Sequence, residues 1–190
     1  MPLLQRVLTR LSHTKKPQQK FLTHLLGRML MLPGHATLRN LSRYSPSHER
    51  TFARWYARDF DVVALNKAAI TAVVPAEHEQ ALVMDASFVP KSGKKTDGLD
   101  HFWHGSHSRT EKGLEISALA WLDITGNCAY CLSVEQTSPT SDAINPEATR
   151  IDGYLEPLRR VVSAHDLGSL RYVVTAGYDS KQKCIGGVRS

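Results

Sequence analysis

The apolar period changes near residue 75, and this change limits the fold more than any other feature of the chain. Before it, apolar residues recur at helical spacing. After it, they come in short runs of strand length bounded by turn residues. Residues 20–32 place Phe21, Leu22, Leu25, Leu26, Met29 and Leu32 on a helical stripe, which Pro33-Gly34 stops. Residues 36–43 predict a short second helix with Leu38 and Leu41 inward. Ser45-Pro46-Ser47 predicts a turn, with Ser47 capping a third helix over 48–57. Phe52 and either Trp55 or Tyr56 would face its core. Residues 61–74 continue as apolar, helical chain to Pro75, and the polar stretch 75–80 reads as a junction.

Beyond the junction, residues 80–89 predict a strand that ends at Pro90. Residues 91–109, rich in Gly, Ser, Lys and His, predict a long loop. Strands over 114–124 and 128–135 form a hairpin about Thr125-Gly126-Asn127. Pro146 suits the first turn of a helix that runs to Asp166, and Pro157 inside it predicts a kink. Residues 170–175 predict a fourth strand. A strand-helix-strand step implies parallel pairing with a right-handed crossover. The class is therefore α+β: a helical region over 1–75, then a mixed sheet with one crossover helix over 76–190.

Charge divides the chain at nearly the same place. Residues 1–58 hold eleven Lys and Arg against one acid, Glu49, a balance of +10 in a chain whose net charge is +6. Phosphate neutralisation drives most non-specific nucleic-acid affinity, so DNA is the expected partner of this region. Helix, short helix, turn, helix is the outline of a helix-turn-helix unit. Arg50, Arg54 and Arg58 recur every four residues along its last helix, and Arg39 and Arg43 form a similar pair on the helix before. Guanidinium forks suit phosphate oxygens and guanine edges. An ordinary three-helix bundle with a wet basic face is the plainer reading. No apolar run approaches the ~20 residues of a membrane span. Three cysteines, an odd and sparse count, argue against a disulfide framework and fit a reducing, cytoplasmic compartment.

Asp85 is the first candidate for chemistry, because it interrupts an apolar strand. A divalent metal would satisfy such a carboxylate, and two-metal phosphoryl transfer needs acids converging from separate strands. A strand-end aspartate facing solvent is the alternative. A partner acid is expected directly after the fourth strand, where Ala176 stands, with Asp179 three residues on. Lys91, Lys94 and Lys95 sit in a stretch that imitates a phosphate loop, but Phe88 occupies the place of its first glycine. The lysines remain candidate phosphate contacts. His101, His104 and His107, and the pair Cys128 and Cys131, are read as decoys for zinc. Cysteines three apart in a strand face opposite sides. The aromatic, His and basic residues over 102–113 suit either stacking on DNA or a wet hairpin loop.

Residues 83–96, then Gly98-Leu99-Asp100, Phe102-Trp103, Gly105-Ser106-His107 and 112–117 closely resemble insertion-sequence transposases with a DDE catalytic domain. Residues 38–44 with Glu49-Arg50-Thr51-Phe52 and Trp55 resemble the N-terminal region of these proteins, and Tyr172-Val173-Val174 with Gly177-Tyr178 resembles the segment around their second acid. The resemblance implies an RNase H-like fold, two Mg²⁺ or Mn²⁺ ions, and cutting and joining of DNA at element ends. It gives Asp85 the place of the first catalytic and metal-binding aspartate. It puts the second at Ala176, where this chain has no acid, and the third, a glutamate, past Ser190. The expectation is a truncated, catalytically impaired copy with an incomplete nuclease sheet, weak or no metal binding, DNA as partner, an optional homodimer and no membrane. The alternative is a non-enzymatic DNA-binding module or regulator.

Overall fold

The computed structural model describes residues 2–11, 14–93, 96–137, 150–167, 170 and 173–175. The chain divides into two units, Met1–Val73 and Val74–Ser190. The first is helical: α1 (Pro2–Arg10), α2 (Lys16–Met31), α3 (Leu38–Arg43), α4 (Glu49–Tyr56) and α5 (Val62–Ile70). Leu25 of α2, Leu41 of α3 and Phe52 of α4 meet in a buried cluster, with Phe21, Leu32 and Leu38 packed against it. One stripe from each of α2, α3 and α4 thus supplies this cluster, as their apolar spacing predicts.

The caps explain where these helices start. The Thr37 hydroxyl accepts the Asn40 N–H ahead of α3, and the Asp61 carboxylate accepts the Ala64 N–H ahead of α5. The cap of α4 is His48, not Ser47: its Nδ1 accepts the Arg50 N–H at 3.1 Å. Ser47 is spent in the turn, where its N–H donates to Ser45 Oγ. Trp55 is the inward aromatic of α4, stacked on Phe21 at 5.0 Å, while Tyr56 is exposed.

The second unit carries a five-stranded sheet: β1 (Gln80–Pro90), β2 (Asp100–His104), β3 (Arg109–Asp123), β4 (Cys128–Gln136) and β5 (Val173–Thr175). The long strand β3 organises it. One edge of β3 pairs with β1 throughout, antiparallel, while its other edge pairs first with β2 and then with β4. β5 adds to the free edge of β1 in parallel, as the strand-helix-strand order predicts. The helix between, α6 (Arg150–Ala164), runs unbroken through Pro157.

The long loop expected over 91–109 is a correction. It holds β2 and a one-turn 3₁₀ helix, Gly105–His107, and β3 begins at Arg109 rather than at residue 114. The extra strand is fixed by its ladder to β3, from Asp100 opposite Gly113 to His104 opposite Arg109. Its own composition announces nothing of this, because two of its five residues are histidines. The start expected for the crossover helix at Pro146 lies outside the described residues.

The register sorts side chains onto two faces, since neighbours along a strand alternate and paired residues point the same way. Met84, Leu82, Leu119 and Trp121 share one face and are buried. α6 covers it: Leu158, Val161 and Pro157 line a small cavity with Met84 and Leu119. On this covered face the Tyr154 hydroxyl donates to the buried Glu115 at 2.6 Å.

Candidate functional site

Asp85 stands on the other face. It is exposed, pairs across β1–β3 with Ala118, and shares its side with Val83 and Ser87. Val134, opposite Ala118, and Val174, opposite Val83, are also on this side, and both are more than half exposed. The carboxylate is therefore a solvated acid on an open apolar face, not a buried charge in need of neutralisation. The parallel ladder to β5 ends with Thr175 opposite Met84, one residue short of Asp85. Ala176 and Asp179, the positions weighed for a second acid, lie outside the described residues.

The same face continues into the β2–β3 pair. Counting along β3 from Ala118, opposite Asp85, Ile116, Leu114, Lys112 and Thr110 point the way Asp85 does. Lys112 pairs with His101 and Thr110 with Trp103, so His101 and Trp103 also lie on the Asp85 side. Trp103 is 57% exposed. One sheet face thus presents a carboxylate, an open indole, an imidazole and an ammonium group. Among the described residues no second carboxylate adjoins Asp85 on this face. A pair of divalent ions needs several carboxylate oxygens in fixed positions.

The basic residues of the helical unit are where a ligand in solvent can reach them. Arg39 and Arg43 on α3, and Arg50 and Arg54 on α4, are all exposed. Arg58 does not extend the α4 row. The helix ends at Tyr56, and the Arg58 guanidinium lies over the Trp55 ring at 4.3 Å. Such a cation–π contact orders the group and leaves its edge for an anion. Lys91 is exposed in the sheet unit, while Lys94 and Lys95 lie outside the described residues.

Of the residues weighed for metal, the structure separates the two cysteines and joins two of the histidines. Cys128 pairs with Asp123 and Cys131 with Ala120, so they point to opposite faces. His104 and His107 stack at 4.0 Å, and Glu111 joins them. His107 Nδ1 is 2.9 Å from Glu111 Oε1, and Arg109 Nε donates to the same oxygen at 2.6 Å. His107, then Arg109, hold the Glu111 carboxyl below the usual range. Sequence spacing drew attention to the histidines but missed Glu111. Only the hairpin brings residue 111 back beside residues 104 and 107.

A second carboxylate cluster sits at the far end of the sheet. Asp123 Oδ1 accepts the Gly126 N–H at 2.7 Å and lies 2.9 Å from His78 Nδ1. The Gly126 N–H, then His78, hold its carboxyl below the usual range. Its work is structural: it closes the β3–β4 turn, in which Asn127 adopts φ 52°.

The architecture of the second unit, a mixed sheet with a helix on one face, is compatible with an RNase H-like domain. A family model described as DDE superfamily endonuclease matches residues 6–158 of the 190. No curated protein matches the chain. Among the described residues no helix is long and apolar enough to cross a membrane.

Proposed function

This chain belongs to the DDE superfamily endonuclease family, whose members are transposase-like proteins that cut and join DNA with divalent metals, and from that premise we propose that it binds insertion-sequence DNA but cuts it poorly. The observation that carries the reading is the open sheet face, where Asp85 lies on the same side as His101, Trp103 and Lys112. Stacking on an indole and attraction to nearby cations hold nucleic acid without reading its sequence. The exposed arginines of α3 and α4 support the helical unit as a helix-turn-helix-like reader, with Arg39, Arg43, Arg50 and Arg54 toward DNA and Arg58 in support. The exposed Lys91, with Lys94 and Lys95 of the same sequence stretch, adds candidate phosphate contacts. A DNA partner and few cysteines support a cytoplasmic location.

Weak cutting follows from the acids. Asp85 takes the role of the first catalytic aspartate, while Ala176 follows the last paired residue of β5 and carries no carboxylate. One carboxylate holds Mg²⁺ or Mn²⁺ weakly and cannot position two ions for in-line attack. The test is supercoiled plasmid incubated with the purified chain and Mn²⁺. The expected result is retarded plasmid without nicking above that of Asp85→Ala. Robust nicking abolished by Asp85→Ala would sink the impairment, and absence of retardation would sink the DNA-binding reading.

A further inference from the structure

We propose that the β2–β3 hairpin tip is a binding site for a zinc-class transition-metal ion, held by His104, His107 and Glu111. Donor atoms from all three lie within 4.8 Å of one another. Two imidazole nitrogens and one carboxylate oxygen are a set that borderline ions such as Zn²⁺ prefer, whereas Mg²⁺ prefers oxygen alone. The site therefore differs in donor chemistry from any site built on Asp85. It is also on the opposite face: Glu111 pairs with Phe102, and both alternate away from Lys112 and His101 on the Asp85 side. The inference does not rest on the DNA-binding reading.

The backbone assembles these ligands. His104 ends β2 and caps the 3₁₀ turn, its Nδ1 accepting the His107 N–H at 3.3 Å. Ser108 then takes the left-handed conformation, φ 51°, and starts the chain back along β3 to Glu111. The Phe88 ring packs on His104 at 4.6 Å and holds it from the sheet side. In this arrangement His107 and Glu111 already touch, and the metal would replace the proton between them. The hydrogen bond at His104 Nδ1 is long and weak. Because the two rings stack nearly parallel, one of them must turn for both to aim a nitrogen at one ion.

Arg109 is the competitor, because it shares the Glu111 oxygen. Its side chain is 71% exposed, and exposed ion pairs contribute little to stability. Binding therefore requires that the guanidinium swing into water, which costs little. Three protein ligands leave a position for water or for a further donor.

The experiment uses the full chain, stripped with a chelator and then titrated with Zn²⁺ against a chromophoric competitor, with Co²⁺ absorption as a second readout. The expected result is one Zn²⁺ per chain, with His107→Ala and Glu111→Gln each weakening affinity by at least about tenfold. Arg109→Ala should tighten binding, since it removes the competing cation. A Cys128→Ser, Cys131→Ser double variant should bind as the parent does. Both His107 and Glu111 lie outside the buried core, and far-UV dichroism checks that each variant is folded. Three results would each overturn the proposal: no zinc on the parent chain, parental affinity retained in His107→Ala and Glu111→Gln, or loss of zinc with the cysteines.

Discussion

At the scale of single residues, Glu115 shows what the fold requires. It is 5% exposed, on the sheet face that α6 covers, and the Tyr154 hydroxyl donates to its carboxyl. Removing one partner from a buried hydrogen bond leaves the other unsatisfied, which costs ~1–3 kcal/mol. Tyr154→Phe should therefore lower the unfolding free energy of the chain by about 2 kcal/mol. Urea denaturation followed by far-UV dichroism measures it, and an unchanged midpoint would show that water or another group replaces the hydroxyl. Periodicity marks Tyr154 as a stripe residue of α6 but says nothing of its partner, which is 39 residues away. Asp85 is the reverse case. Its place in an apolar run marks it in the sequence, but that run suggests burial, and the register instead turns it toward solvent.

At the scale of elements, the β1–β3 ladder is the spine of the sheet, and the strands approach closely at Gly113. A Cβ there would lie 2.5 Å from two Phe88 ring carbons and 2.7 Å from the Val89 carbonyl oxygen. The ring can rotate, but the backbone oxygen cannot leave without breaking the ladder. Gly113→Ala should cost ~1–3 kcal/mol, the usual range for overpacking. Loss of amide protection in β1 and β2 would report it, and unaltered exchange there would refute it. The β3–β4 turn gives a pH prediction. Folding depresses the Asp123 pKa below its ordinary value of 3.8, through the Gly126 N–H and then His78. Its contribution is therefore complete above that value and fades as pH falls through the lower folded value. Acid titration of stability should show a component in this window that Asp123→Asn removes. Identical acid limbs for the two proteins would count against it.

At the scale of the whole molecule, basic charge is concentrated in the helical unit. Residues 1–58 hold eleven Lys and Arg with Glu49 as their one acid. Counterion release then predicts that DNA affinity falls steeply with salt. Each phosphate contact contributes a slope of about 0.9 in log affinity against log salt. Removing Arg50 and Arg54 together should reduce the slope by about 2 in a mobility-shift series. An unchanged slope would mean that these arginines do not meet phosphate.

Much of this plan is written locally. The helix stripes, the Pro33-Gly34 stop, the strand of residues 80–90, the hairpin turn and the charge division are set by side chains within a few positions of one another, so the sequence alone determines them. Other features depend on residues far apart in the chain. β2 exists through its ladder to β3, and His104, His107 and Glu111 converge because a hairpin folds back. Asp85 shares a face with Trp103 because the pairing register, not the spacing, fixes which side each residue takes. Those were decided by tertiary structure, because strand pairing exchanges hydrogen bonds and faces between segments that carry no local record of each other.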